Sequence, residues 1–270
     1  RVNGLIKKNE TNNPLISIIT VVKNNTKFIE ETIQSVLNQK YKNIEYIVID
    51  GLSSDGTLEK ILKYQNKIDY IVSERDEGLY DAMNKGLSLA KGELIGMVNG
   101  DDILLPDATN ILTAYHKKNP HLDFFFGSVK KHWGVIHGFH PYKIKYTWFF
   151  YTSHSTGFFI KRHAASLNGK YSLKYKYSSD FDYFYRLIVH NKQKGIATTK
   201  EEVFGIFRPG GISHTLNKEH HFFEKIQIRI DNKQNKFFLM TLFFIKIIKN
   251  FNKKIPISSS INFFTKNFLS

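Results

Sequence analysis

Between Ile16 and Gly127, short apolar runs alternate with stretches whose apolar residues recur at helical spacing. No other feature restricts the possible folds so strongly, because repeated strand–helix–strand units build a mostly parallel sheet covered by helices. We expect strands at Leu15 to Val22, Ile44 to Asp50, Ile68 to Ser73, Leu94 to Asn99 and Phe124 to Ser128. In the first helical stretch Phe28, Ile29, Ile33, Val36 and Leu37 share a face. Asn25 or Thr26 offers an N-cap there, and Glu30 and Glu31 suit the positive end of the helix dipole. Sheets of this α/β class bind ligands beyond the carboxyl ends of their strands, so the polar residues at those ends are the first candidates for a site.

The chain is long enough, at 270 residues with 41% hydrophobic content, for one large α/β domain or two small ones. Cysteine is absent, which excludes disulfides and thiolate metal sites. The polar lead-in from Arg1 to Asn13 lacks an apolar export signal, so a cytoplasmic location is expected. A formal charge of +15, from 39 Lys and Arg against 24 Asp and Glu, suits a polyanion or an anionic membrane surface.

Three strand ends carry clustered polar groups. The run Leu94-Ile95-Gly96-Met97-Val98 emerges into Asn99-Gly100-Asp101-Asp102, two adjacent carboxylates of the kind that hold Mg2+ or Mn2+ together with phosphate oxygens. The alternative is that they cap the helix signalled by Pro106-Asp107. The second strand ends at Asp50, and Gly51-Leu52-Ser53-Ser54-Asp55-Gly56-Thr57 follows. Asp50 is the better candidate for a ribose or base contact, whereas Asp55 reads as an Asx-turn and helix cap. No G-x-G-x-x-G follows the first strand, where Lys23-Asn24-Asn25 stands, so a nicotinamide cofactor is disfavoured. The third strand leads into Ser73-Glu74-Arg75-Asp76-Glu77-Gly78-Leu79-Tyr80-Asp81-Ala82-Met83-Asn84-Lys85-Gly86. Asp76 and Asp81 can bond sugar or nucleoside hydroxyls there. Lys85 can meet phosphate, although a solvated surface lysine is the default.

These blocks, with Ile16-Ser17-Ile18-Ile19-Thr20 before them, come in the order and spacing of the family 2 glycosyltransferases, which the chain resembles over about its first 130 residues and more loosely beyond. The resemblance implies a GT-A fold, a non-processive enzyme of the bacterial cell-surface polysaccharide type, and inverting transfer of one sugar from a nucleotide diphosphate sugar, with UDP the commonest case. It implies donor contacts from Thr20, Val22, Asp50, Asp76, Asp81, Lys85 and Asp101, and Mn2+ or Mg2+ held by Asp102. Many relatives carry Asp-x-Asp-Asp where this chain has Asn99 first, which leaves most of the coordination to Asp102. The block Ser178-Ser179-Asp180-Phe181-Asp182 matches the family's Glu-Asp pair, with Ser179 in place of Glu and Asp180 at the position of the base. Inversion needs one such base to take the acceptor proton. Asp182 is the runner-up, about 200° away on a helix expected from Ser179 to Asn191. His154 and Asp182 are expected on the acceptor side. Arg208, Gly210, Gly211 and Ser213 resemble the loop that closes over the diphosphate.

The expected organisation is a GT-A domain over 1–215, with a nucleotide-sugar half at 14–128 and an acceptor half at 129–215, followed by a basic aromatic helical extension over 216–270. The apolar run Phe237 to Ile248 is shorter than the roughly 20 residues of a spanning helix. Flanked by Lys233, Lys236, Lys249, Lys253 and Lys254, it suits either an interfacial helix on the anionic inner leaflet or a helix packed on the domain. Lipid-linked or lipopolysaccharide-type acceptors follow from the resemblance. Two other readings stand beside it: a basic nucleic-acid-binding α/β protein, disfavoured by carboxylates that would repel phosphate, and a non-catalytic GT-A-like partner subunit.

Overall fold

The computed structural model describes residues 13–147, 155–208 and 218–250. In chain order the elements are β1 (Ile16–Val22), α1 (Ile29–Leu37), β2 (Ile44–Asp50), α2 (Thr57–Leu62), β3 (Tyr70–Ser73), α3 (Leu79–Leu89), β4 (Leu94–Met97), β5 (Ile103–Leu104) and α4 (Ala108–Lys118). There follow β6 (Phe124–Phe126), β7 (Ser128–Lys131), β8 (Gly134–Ile136), α5 (Lys143–Tyr146), β9 (Phe158–Lys161), α6 (Arg162–Asn168), α7 (Ser179–Tyr185), β10 (Gly195–Ala197), β11 (Val203–Ile206), α8 (Lys218–Asp231) and α9 (Lys236–Asn250).

The central sheet runs β10-β6-β9-β4-β1-β2-β3, and only β9 is antiparallel to its neighbours. The expected α/β class, a mostly parallel sheet flanked by helices, is therefore found. Both faces are covered, which is why β1 and β2 are buried at every position rather than at every second one. Successive side chains still point to opposite faces: Ile19, Ile47 and Met97 join one apolar layer, and Ile18, Tyr46 and Val48 join the other. A second sheet, β5-β11-β7-β8, is antiparallel except where β11 pairs with β7.

The expected strand Phe124 to Ser128 is divided. β6 lies in the central sheet and β7 in the second one, with the change at Gly127. A side chain at Gly127 would overlap the ring of Phe204, so the chain can cross between sheets there only as glycine. α1 is capped differently from expectation: the carbonyl of Asn25, rather than the side chain of Asn25 or Thr26, receives the amides of Phe28 and Ile29. The helix expected from Ser179 to Asn191 is α-helical only to Tyr185 and then widens into a π-type turn over Arg186–His190.

The largest departure concerns the expected extension, because α8 is built into the domain. Ile228 lies in the same apolar layer as Phe181 and Tyr185. Arg229 is fully buried, and its guanidinium donates to the carbonyls of Lys145, at 2.6 Å, and Thr147 and to Gln234 Oε1. Glu224 accepts the amides of Lys176 and Tyr177. α9 is half packed: Leu239 and Phe243 are buried, whereas Phe237, Phe244 and Ile245 are exposed. Among the described residues, no helix is long and apolar enough to cross a membrane.

Candidate active site

β3, β2, β1 and β4 are adjacent and parallel, so their carboxyl ends open on one edge of the sheet. At the end of β2, Asp50 is fully buried. It accepts hydrogen bonds from the Ser53 hydroxyl at 2.5 Å, the Ser73 hydroxyl at 2.6 Å and the Ser53 amide at 3.2 Å. It thereby ties the loops after β2 and β3 together. Asp55 bonds the Thr57 amide and hydroxyl and the Thr26 amide, the local turn expected of it. Two other expected donor contacts sit deeper. Thr20 is fully buried with its hydroxyl 3.0 Å from that of Tyr46, and Val22 gives its carbonyl to the Gly51 amide.

Beyond β4, Asp102 is fully buried. Its Oδ2 accepts from the Thr156 hydroxyl at 2.7 Å and from Asn99 Nδ2 at 3.3 Å, and Asn99 Nδ2 also donates to the Ser155 hydroxyl. Burial, reinforced by the neighbouring charge of Asp101, pushes the Asp102 carboxyl up to about 7. Burial also raises Asp101, opposed by the charge of Arg208. Two adjacent carboxyls resist ionising together unless a cation compensates them. Asn99 Oδ1 is buried with no hydrogen-bond partner among the described residues. Hard oxygens in this arrangement fit Mn2+ or Mg2+ bound in the open mode, with one or two carboxylates and the remaining positions left to water and phosphate. Among the described residues, no three histidine or acidic side chains group to hold a metal.

The loop after β3 is stapled by its own charges. Lys85 Nζ donates to the Arg75 carbonyl at 2.8 Å and pairs with Glu74 at 2.9 Å and Asp81 at 3.2 Å. Asp81 also accepts the Glu77 amide. Lys85 was a candidate phosphate ligand, but its ammonium is surrounded by these three oxygens, so its place is in holding the loop. Asp76 accepts the Gly78 amide at 3.1 Å and lies 3.8 Å from Lys23 Nζ.

Beside Tyr80 of α3, α7 begins at Ser179. Asp180 Oδ1 accepts the Phe181 amide at 2.7 Å and lies 3.5 Å from the Tyr80 hydroxyl, whose one proton has the Tyr177 carbonyl as its nearer acceptor at 3.2 Å. Tyr80 belongs to α3, so the candidate base lies beside the donor-side motif. Burial raises Asp180 to about 6 against the opposing charge of Lys225 on α8. Asp182 has another place. It is 4% exposed, with one oxygen on Arg186 Nε at 2.9 Å and the other on Asn232, just past the end of α8, at 2.9 Å. Its turn of the helix faces α8, which removes it from the expected acceptor-side set.

Arg208 packs over the Phe28 ring, pairs with Glu31 and adds its amide to the support of Asp102. The stem of the expected phosphate-closing loop is thus anchored to α1. Gly210, Gly211 and Ser213, like His154, lie outside the described residues. Sequence reasoning missed Tyr80 and Lys225, and it expected the loop His154-Ser155-Thr156-Gly157 on the acceptor side, whereas Thr156 bonds Asp102. Tyr80 lies inside a block of the resemblance; Lys225 reaches the site through packing of a distant segment and gives no sign in the sequence.

Comparison with known proteins agrees with this geometry. Glycosyl transferase family 2 matches residues 17–180. An uncharacterized glycosyltransferase of Methanocaldococcus jannaschii is 26% identical over 259 residues, which cover 88% of this chain and 86% of that protein. One of Haemophilus influenzae is 35% identical over 114 residues, 41% of this chain and 35% of the relative, so the match spans about a third of that relative's length. Among solved structures, S. aureus TarS in complex with UDP-GlcNAc superposes with a TM-score of 0.73 at 18% identity, covering 93% of this chain and 80% of that one. A mannosyltransferase from Pyrobaculum calidifontis, in complex with GDP-Man and Mn2+, gives 0.62 at 14% identity, covering 93% and 79%. The strand-end carboxylates, the sheet order and the match over 17–180 converge on one conclusion: the chain belongs to glycosyl transferase family 2.

Proposed function

We propose that the protein is a metal-dependent inverting glycosyltransferase that moves one sugar from a UDP-sugar to a hydroxyl of a lipid-linked or lipopolysaccharide- or capsule-type glycan. The observation that carries this reading is the place of Asp180, at the start of α7 and 3.5 Å from the hydroxyl of Tyr80 on the donor-side helix α3, where burial raises its carboxyl to about 6. A base with such an affinity is ionised at neutral pH yet still accepts a proton readily. Asp180 removes the proton of the acceptor hydroxyl as its oxygen attacks the anomeric carbon from the face opposite the diphosphate. The new C–O bond forms, the bond to the diphosphate breaks, and the diphosphate leaves with the electron pair.

Asp102, with Asp101 beside it, would hold Mn2+ or Mg2+, which supplies positive charge against the departing diphosphate. Thr156 and Asn99 orient Asp102 for that task. Arg208 adds a fixed cation at the stem of the following loop. The complexes of TarS with UDP-GlcNAc and of the Pyrobaculum enzyme with GDP-Man and Mn2+ support a nucleotide-sugar donor and a divalent ion. Exposed Phe237, Phe244 and Ile245 near Lys233 and Lys236 support docking of α9 on an anionic cytoplasmic leaflet, where lipid-linked acceptors reside. Incubating the protein with a panel of UDP-sugars and Mn2+ tests the reading through released UDP: wild type turns over at least one donor, and Asp180→Asn does not. An Asp180→Asn variant as fast as wild type would put the base elsewhere.

A further inference from the structure

We propose that Lys225 of α8 is a positioning residue for the reaction, a buried cation that faces Asp180 and balances the charge of its carboxylate. The inference rests on Asp180 as the base and adds the residue that governs its proton. α8 is fastened to the segment that leads into α7. Glu224 accepts the amides of Lys176 at 2.6 Å and Tyr177 at 2.9 Å, and Ile228 shares an apolar layer with Phe181. Lys225 directly follows Glu224, and its side chain is carried to the first turn of α7. It is 7% exposed, with its ammonium 5.7 Å from the centre of the Phe181 ring. Asp180, the residue before Phe181, is half-buried. An ammonium withdrawn from water is costly unless an anion compensates it, and a carboxylate beside it gains in the same way.

The other groups around Asp180 leave this task to Lys225. Phe181 donates its amide, and the Tyr80 hydroxyl, 3.5 Å away, has a nearer acceptor in the Tyr177 carbonyl. Burial holds that tyrosine neutral by raising it well above its ordinary value. Burial also raises the Asp180 carboxyl to about 6; the charge of Lys225 is the largest influence opposing the rise, and Glu224 adds to it. Further cations near α7 are spent elsewhere. Arg229 serves the carbonyls of Lys145 and Thr147 and the side chain of Gln234, and Arg186 pairs with Asp182. His221, one turn before Lys225, is pushed down to about 4 by burial and by the Lys225 charge, so it stays neutral where Asp180 titrates. A carboxyl in such surroundings needs a nearby cation to be ionised at neutral pH, and α8 supplies it.

The pH profile of turnover by the full chain tests this, read as UDP released with Mn2+ from the UDP-sugar that wild type turns over, with melting curves as the control for folding. Wild type is expected to rise along an acid limb centred at about 6. Lys225→Met moves that limb up by about one pH unit, which leaves about a fifth of wild-type turnover at pH 6, while the plateau near pH 9 and the donor KM stay within about threefold. Lys225→Arg, which keeps the charge, keeps the limb in place. Lys225→Gln shifts it as Lys225→Met does and carries the test should the latter melt early. A limb that stays at about pH 6 in both uncharged variants overturns the proposal; a lowered plateau without a shift is then the mark of a lysine needed only for packing. A limb displaced equally in Lys225→Arg also overturns it. An Asp180→Asn variant as fast as wild type would show instead that the base assignment had failed, and this inference with it.

Discussion

On the donor side of the central sheet, β3, β2, β1 and β4 are joined by helices close in sequence, and each strand delivers its own loop to the shared edge. On the acceptor side nothing is so local. β9 is inserted antiparallel between β4 and β6, Thr156 beside it holds Asp102, and α8, beginning at Lys218, brings Lys225 towards Asp180 and, just past its end, Asn232 to Asp182. The donor edge is a chain of neighbouring motifs, whereas the acceptor wall is an assembly of remote segments. Substitutions on the first side should therefore damage ligand binding with little cost to the fold. On the second side, chemistry and stability are entangled.

The largest effect is expected from Asp180→Asn, which lowers turnover by about 100- to 10,000-fold. The same substitution tests the entanglement. The folded-state value of about 6 lies above that of an ordinary aspartate, so the native state binds the proton more tightly than the unfolded chain does. Stability then falls as pH rises between about 4 and 6 and stays lower above that window. Asp180→Asn should accordingly be more stable than wild type at pH 8, by about 1–3 kcal/mol, and indistinguishable below pH 4. Denaturant unfolding at the two pH values checks this, while wild-type turnover should decline tenfold per unit below about pH 6.

Next is Asp102→Ala, for which we expect about a 100- to 1,000-fold loss of turnover through lost stabilisation of the leaving diphosphate. Steady-state rates over a Mn2+ series check it, and rescue by excess Mn2+ would contradict the placement of the ion. Arg229→Met follows. It strands the carbonyls of Lys145 and Thr147 in the interior and should cost about 2 kcal/mol of stability, measured by urea unfolding. A loss under about 0.5 kcal/mol would mean that α8 is a dispensable appendage, and the contrast between the two sides would fail. The smallest effect belongs to Lys85→Met on the donor side. Partly exposed ion pairs of this kind are worth roughly 0.2–1 kcal/mol, so stability should shift by no more than that and the donor KM by less than about threefold. A much larger rise in KM would return Lys85 to the phosphate.

The same contrast explains what could be read without coordinates. The runs ending at Asp50 and Asp102 were legible because a buried parallel strand needs an unbroken apolar stretch and the polar residue that ends it must lie at the sheet edge. Asp180 was legible only by its resemblance to the family's base; on its own, an acid at a helix start is ordinary. Gly127 gave no such sign, because the reason for glycine there is the ring of Phe204, seventy-seven positions away by number alone. The assignment of α8 to an extension had the same origin. A Lys- and Phe-rich composition does not say which face is covered, and Arg229, a residue type rarely buried, turned out to be fully so.

The central claim is that the end of β4 and the start of α7 face one bound donor in different roles. Calorimetric titration of UDP in the presence and absence of Mn2+ tests it most directly. Wild type and Asp180→Asn should bind equally well with Mn2+ and about tenfold or more weakly without it, while Asp102→Ala should bind weakly in both conditions. Binding that ignores both Mn2+ and Asp102→Ala would contradict the account.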